Sequence, residues 1–287
     1  LAIDRRAFLK IGSTVMGAAA LGTGLYGGEI ERHNIAVEAH TVALRGLGDG
    51  LHGLRIVQIS DLHYDEFSEP SYIAEVVRKV NTLKPDVVLM TGDFVSYAPM
   101  PPSFGARHSG PCAALLAEIE CPIRYAVMGN HDGIVGAPIV TDALEMHGVE
   151  VLHNKYLPLE KDGARLWLGG TADVLEGNAR IELAVPPKRI RRDEPVLIMV
   201  HEPDFADDVA QHGGVDLMLS GHTHGGQIRI PFMRPRVLPP MGQKYIEGFF
   251  QIGPTLLYVN RGIGTVGVPV RFLCRPEITV FTLSGEA

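Results

Sequence analysis

Five short, mostly apolar runs set the frame for this chain: residues 54–60, 87–90, 123–128, 196–200 and 215–219. Each has strand length and is too short for a buried helix. Between them apolar residues recur at helical spacing. Ile73, Val76, Val77, Val80 and Leu83 precede the stop at Lys84-Pro85, and further helices are expected over residues 111–119, 139–147 and 204–212. Strands alternating with single helices require a sheet whose faces are covered by helices, an α/β domain. Additional strands are expected at 35–44, 255–259 and 278–283, with a hairpin over 149–159 and 165–169. The residues after the central runs carry the information. Asp61, Asp93, Asn130, His201 and His222 each stand just past the C-terminal end of a strand, where α/β sheets gather functional side chains.

With 287 residues, 46% of them hydrophobic, the chain can bury a sizeable core. Its net charge of −7 argues against a non-specific nucleic-acid binder. A small anionic substrate stays compatible, because a bound cation reverses the field locally. Cys112, Cys121 and Cys274 are too few and too scattered for a disulfide framework or a zinc ribbon. They read as packing residues, with a Cys112–Cys121 bridge as the lesser alternative.

The N-terminus reads as a targeting segment. Arg5-Arg6-Ala7-Phe8-Leu9-Lys10 precedes a Gly- and Ala-rich apolar run from Ile11 to Tyr26. That run is short and weakly apolar for a membrane span and fits a signal region better. The segment resembles the twin-arginine export signal, with Asp4 where Ser or Thr is usual. Residues 1–28 are therefore assigned to a signal or anchor, 29–53 to a first strand and linker, and 54–287 to the catalytic domain. The expected location is the periplasm or the outer face of the cytoplasmic membrane, reached through the Tat machinery.

Asp61, His63, Asp93, Asn130, His201, His222 and His224 offer two carboxylates, one amide oxygen and four imidazoles. Seven side chains exceed what one tetrahedral ion uses and suit two divalent ions sharing a carboxylate. A set of N and O donors without thiolate suits Mn, Fe, Zn or Ni, with Mn favoured. Paired ions orient a water for in-line attack and neutralise phosphoryl charge, so phosphate esters are the expected substrates.

These blocks, Asp61-Leu62-His63, Gly92-Asp93, Gly129-Asn130-His131-Asp132, His201 and Gly221-His222-Thr223-His224, resemble those of the calcineurin-like metallophosphoesterases, intact and in order. The resemblance implies a two-sheet β-sandwich flanked by helices, four layers α/β/β/α. It implies Asp61, His63 and His224 on one ion, Asn130, His201 and His222 on the other, and Asp93 bridging. It assigns attack to a metal-bridging hydroxide, with His131 off the metals as proton donor and Asp132 orienting it. The export segment and residues 260–264 and 271–278 look closest to the exported bacterial phosphodiesterase branch. A UDP-2,3-diacylglucosamine-type lipid pyrophosphatase is the alternative, and a non-catalytic metal-stabilised scaffold the second.

Taken singly, most of these blocks have duller explanations. Asp-x-His after a strand is usually a turn, Gly-Asp is a turn signal, and a lone His201 is more often a satisfied core histidine. Their coincidence at strand ends favours the functional reading. Residues 231–242, with Arg234, Arg236 and four prolines, read as a plain surface loop, or as one touching a lipid or membrane surface. Arg261 and Arg271 read equally as phosphate ligands or as structural ion pairs. Glu202 reads as an outer partner of the metal site or as a helix N-terminal charge.

Overall fold

The computed structural model describes residues 5–65, 69–97, 101–191 and 193–286; Asp4 of the export motif lies outside them. The twelve strands among these residues form two six-stranded sheets. The first contains β1 (Ala36–Leu44), β2 (Arg55–Ile59), β3 (Val87–Met90), β4 (Arg124–Ala126), β5 (Glu150–Val151) and β12 (Glu277–Gly285), in the order β1-β12-β2-β3-β4-β5. The second contains β6 (Lys155–Lys161), β7 (Ala164–Gly170), β8 (Val196–Met199), β9 (Leu217–Ser220), β10 (Gly248–Ile252) and β11 (Thr255–Val259), in the order β10-β11-β9-β8-β7-β6. Strands β2 to β5 run parallel, as do β7, β8, β9 and β11. Antiparallel β6 and β10 close the edges of the second sheet.

Alternation along each strand sorts side chains between separate cores. Ile56, Leu89, Phe281, Leu168, Leu197, Met199, Leu217 and Leu219 meet between the sheets. Val57, Ile59, Val88 and Met90 point the other way, into helices α2 (Pro70–Thr82), α3 (Pro102–Leu116) and α4 (Asn130–Met146). Ile198, Val200, Met218 and Leu257 cover the opposite outer face under α5 (Ile181–Ala184) and α7 (Ala206–His212). A short α6 (Lys188–Arg191) lies between them in sequence. Because both strand faces are buried, the strands read as unbroken apolar runs. The result is the four-layer α/β/β/α sandwich.

Several boundaries differ from expectation. Helix α3 begins at Pro102 and carries Pro111 inside it, well before the expected start at residue 111. Helix α4 begins at Asn130 and continues through a break at Gly136 (φ 125°); glycine and proline there mimic a loop. The expected hairpin is β6–β7 alone, since Glu150–Val151 pairs with β4 in the other sheet. Strand β10 has no counterpart among the expected strands. The segment before residue 54 supplies an edge strand of the first sheet, with β1 parallel to β12 over Ala36–Leu44. All three cysteines are buried and free, so Cys112 and Cys121 do not pair.

Helix α1 (Arg5–Leu25) precedes a turn of π-helix at Tyr26–Ile30. No helix among the described residues is long and apolar enough to cross a membrane.

Candidate metal centre

The parallel strands of both sheets deliver their C-terminal ends to one place. β2 leads to Asp61 and His63, β3 to Asp93, β4 to Asn130, β8 to His201, and β9 to His222 and His224. Gln58, buried in β2, ties the two sheets beneath the site. Its Nε2 donates to Thr91 Oγ1 at 3.0 Å and to Ser220 O at 3.0 Å.

Five of the seven side chains leave backbone in the left-handed region: Asp61 (φ 52°), His63 (46°), Asp93 (55°), His222 (72°) and His224 (50°). That conformation costs each non-glycine residue on the order of 1 kcal/mol or more. It persists because neighbouring backbone holds it. Asp61 N–H donates to Gly92 O at 2.9 Å, His63 N–H to Asp93 O at 3.0 Å, and Gly264 N–H to Asp61 O at 2.7 Å. Gly221 sits so close beneath that a Cβ would collide with Ser60 Oγ and Asp61 Oδ2.

The ligand atoms fall into two groups with little room between members. Asp61, His63 and His224 form one, and Asp93, His201 and His222 form another, each with its ligand atoms within 4.8 Å. His222 and His224 thus go to different groups. Asp93 Oδ2 joins the two, 3.4 Å from His63 Nε2 and 3.2 Å from His201 Nε2. Asn130 Oδ1 is buried beside them without a hydrogen-bond partner among the described residues.

The outer hydrogen bonds settle which imidazole nitrogens face inward. His201 Nδ1–H donates to Thr91 O at 2.6 Å and His222 Nε2–H to Pro240 O at 2.8 Å. Their other nitrogens, His201 Nε2 and His222 Nδ1, face each other at 3.1 Å. His63 Nδ1 meets Ser96 Oγ at 3.0 Å, leaving its Nε2 3.0 Å from His224 Nε2. Two nitrogens at that separation need a proton or a cation between them. Burial opposes charge on His201, yet Asp93 beside it carries its pKa well above the ordinary imidazole value. Asp93 would itself be raised by burial, but His201, His131 and His63 hold it well below the usual carboxylate range. Burial keeps His63 and His224 neutral, with pKa values well below normal, and lowers His222 to about 4. Asp61 is pushed up to about 6, chiefly by burial. A buried set of mutually facing donors, an orphaned amide oxygen and a shared carboxylate fits divalent cations.

The Asp132 expectation is corrected. Its carboxylate accepts from four backbone amides: Asp93 (2.8 Å), Phe94 (2.8 Å), Val95 (3.2 Å) and Gly129 (3.0 Å). It splints the Asp93 loop to the start of α4 and does not touch the His131 ring. His131 lines the cleft, its Nδ1 has no partner among the described residues, and the ring of Tyr97 lies 4.6 Å away. It also stands within ligating reach of His63 and Asp93.

Arg261 and Arg271 are structural. Arg261 pairs with Glu38 at 2.7 Å and Glu277 at 2.9 Å. Arg271, fully buried, donates to the carbonyls of Arg261, Gly262 and Gly264, and its Nη2 reaches His224 Nδ1 at 3.3 Å. Glu202 is buried behind His201, and burial, with a hydrogen bond that its protonated carboxyl donates to Asp173, raises it well above the usual range. Thr91, Ser96, Pro240 and Arg271 orient the imidazoles, and of these only Arg271 stands out in the sequence. Two of them act through backbone carbonyls, which every residue has.

A cleft of about 610 Å³ opens over the ligands. His63, Asp93, Asn130, His131, His222 and His224 form its floor. Ile228, Ile230, Val237, Leu238, Val266 and Val268 form an apolar wall, with Arg234 and Arg236 on the same loop. Residues 231–242 are thus not merely a surface loop.

The model of the calcineurin-like phosphoesterase family matches residues 54–226, which contain every ligand named above. The chain belongs to that family. Among calcineurin-like phosphoesterases it is 36% identical to YkuE, an uncharacterized metallophosphoesterase of Bacillus subtilis, across 99% of this chain and 98% of that one. It is 31% identical to the phosphodiesterase YaeI of Escherichia coli, across 80% and 82% of the two chains. The NAD nucleotidase of Haemophilus influenzae superposes with a TM-score of 0.49 at 15% identity, covering 73% of this chain and 45% of that one. Like other calcineurin-like phosphoesterases, the protein is a metal-dependent phosphoester hydrolase.

Proposed function

We propose that the protein is a two-metal phosphodiesterase. The observation that carries this reading is Asp93 Oδ2, placed between His63 Nε2 and His201 Nε2 so that one oxygen joins two ligand groups. Asp61, His63 and His224 would hold one ion, and Asn130, His201 and His222 the other. When bound, such ions supply an activated water and neutralise phosphoryl charge. The remaining work falls to the chain. Apolar walls exclude water from one side of the cleft, and the strained loops hold the ligands in position before substrate arrives. His131 faces the cleft; burial lowers its pKa while the Asp93 carboxylate works against that shift and favours the protonated ring, which in this reading delivers a proton to the departing oxygen.

The test pairs metal analysis with turnover of bis(p-nitrophenyl) phosphate in Mn²⁺. Wild-type protein should bind two ions per chain and hydrolyse the diester. The His131→Ala variant should keep both ions and lose roughly 10²–10⁴ in kcat, more for poor leaving groups. Full activity of that variant on poor leaving groups would sink the proton-donor role. Absence of hydrolysis with any divalent metal would sink the enzyme and leave a scaffold.

The apolar wall favours one second reading, a pyrophosphatase of a UDP-diacylglucosamine-type lipid, which turnover of such substrates in preference to soluble diesters would support. The Arg5-Arg6 segment supports export by the twin-arginine route to the outer face of the membrane. Unchanged cell fractionation of an Arg5→Lys, Arg6→Lys variant would remove that support.

A further inference from the structure

The loop that walls the cleft exposes more apolar surface than a wall requires. Phe232 is fully exposed and Val237 is 87% exposed, with Ile228, Ile230 and Met233 also open to solvent. Isolated apolar residues on a surface mean little, but a contiguous patch rimmed by basic groups marks an interaction site. This loop is held in place. Pro235 packs over Gly226, Pro240 O takes the His222 Nε2–H, and Ile228 bridges to Phe272. Arg234 and Arg236 project from the same loop, both exposed, and the Arg236 guanidinium has no ion-pair or hydrogen-bond partner among the described residues.

A second apolar element rises from the same face. Tyr26 meets the Phe272 ring edge-on at 6.3 Å, and Arg271 N–H donates to Gly27 O at 3.1 Å. Helix α1 is therefore rooted on the segment that continues the cleft wall from Val266 and Val268. Its Ile11, Val15, Met16, Leu21 and Leu25 are all exposed, and Arg5, Arg6 and Lys10 lie towards its N-terminus.

From these two elements we infer that the mouth of the cleft docks on an anionic lipid bilayer, with Phe232 inserted among the acyl chains and Arg234 and Arg236 at the headgroups. A bilayer is the occupant that suits both parts. It is extended enough to cover a loop tip and a helix at once, and its anionic surface complements five basic residues on a chain of net charge −7. A pocketed protein partner would suit the loop tip alone. Docking opens the cleft towards the membrane plane, so phosphodiesters carried by lipids reach the ligands without leaving it. The docking surface is the same whichever diester is hydrolysed.

The full chain should float with phosphatidylcholine:phosphatidylglycerol vesicles at 0.1 M salt, and at least fivefold less with phosphatidylcholine alone or at 0.5 M salt. Phe232 has φ 65°, a conformation asparagine accepts, so Phe232→Asn removes the ring without straining the loop. That variant should lose at least fivefold of the bound fraction while hydrolysing soluble bis(p-nitrophenyl) phosphate as wild type does, which shows it folded. A Phe232→Trp variant should shift its emission to the blue on anionic vesicles and be quenched by brominated acyl chains. Equal flotation of wild type and Phe232→Asn, no blue shift, or no flotation of wild type at low salt would each overturn the inference.

Discussion

Asp93 carries the largest consequence of any single residue. One oxygen serves both ligand groups, and its loop is tied by His131 N–H, which donates to Asp93 Oδ1 at 2.9 Å. An Asp93→Ala variant should lose both ions on elemental analysis and lose activity by more than the roughly 10–100-fold that removing an outer partner causes. Ser96→Ala is the contrasting case. It removes only the group that meets His63 Nδ1, so metal affinity should fall about 10–100-fold with turnover restored at saturating Mn²⁺. Titrating activity against free Mn²⁺ separates the two. Residual binding of two ions by Asp93→Ala would contradict the bridging role.

Among elements, the start of α4 matters most. Sequence periodicity places this helix near residue 139, because Gly133, Gly136 and Pro138 interrupt the pattern. The chain nevertheless turns helical at Asn130, because the Asp132 carboxylate satisfies the Gly129 N–H and three amides of the Asp93 loop. Burial and the neighbouring Asp93 push Asp132 up to about 8, and each of the four amides left unpaired in the interior costs about 1–3 kcal/mol. The variant Asp132→Ala should be destabilised by roughly 4 kcal/mol or more, a Tm drop of about 8–16 °C for a domain of this size. His131→Ala, whose side chain caps nothing, should leave Tm within a few degrees. Calorimetry of the two variants with metal removed distinguishes a helix-start role for Asp132 from an orienting role on His131.

At the scale of the whole molecule, the two sheets are linked through a polar layer, and its charge state sets stability. Asp61 has a folded pKa near 6 against an ordinary 3.8. Its protonated form is the one the ion-free fold prefers. The stability it contributes is full below about pH 4 and is lost as pH rises through 6. A cation needs the opposite state, ionised Asp61 and His201 without its extra proton, so binding releases protons and strengthens with pH. The rise in Tm on adding Mn²⁺ to chelator-treated protein should therefore be several degrees larger at pH 7 than at pH 5. Equal increments at the two values would mean that these groups do not exchange protons for metal.

Much of this architecture is legible in the chain itself. A strand buried on both faces must be apolar throughout, so β2, β3, β8 and β9 announce themselves. The polar residue that follows each one can only stand at the sheet's C-terminal edge. The ligand types, their order and the family follow from that. What the sequence leaves open are properties of contact between distant segments. Whether Glu150–Val151 joins β4 or the β6–β7 hairpin depends on which sheet edge is free. Whether Arg271 meets a phosphate or a buried layer of carbonyls depends on what packs over it. The division of His222 and His224 between two ligand groups is implied by the family resemblance, but its physical cause lies in the tertiary structure. Two residues apart on one strand end, they could share an ion; Asp61 and Asp93, brought in by other strands, pull them to opposite sides.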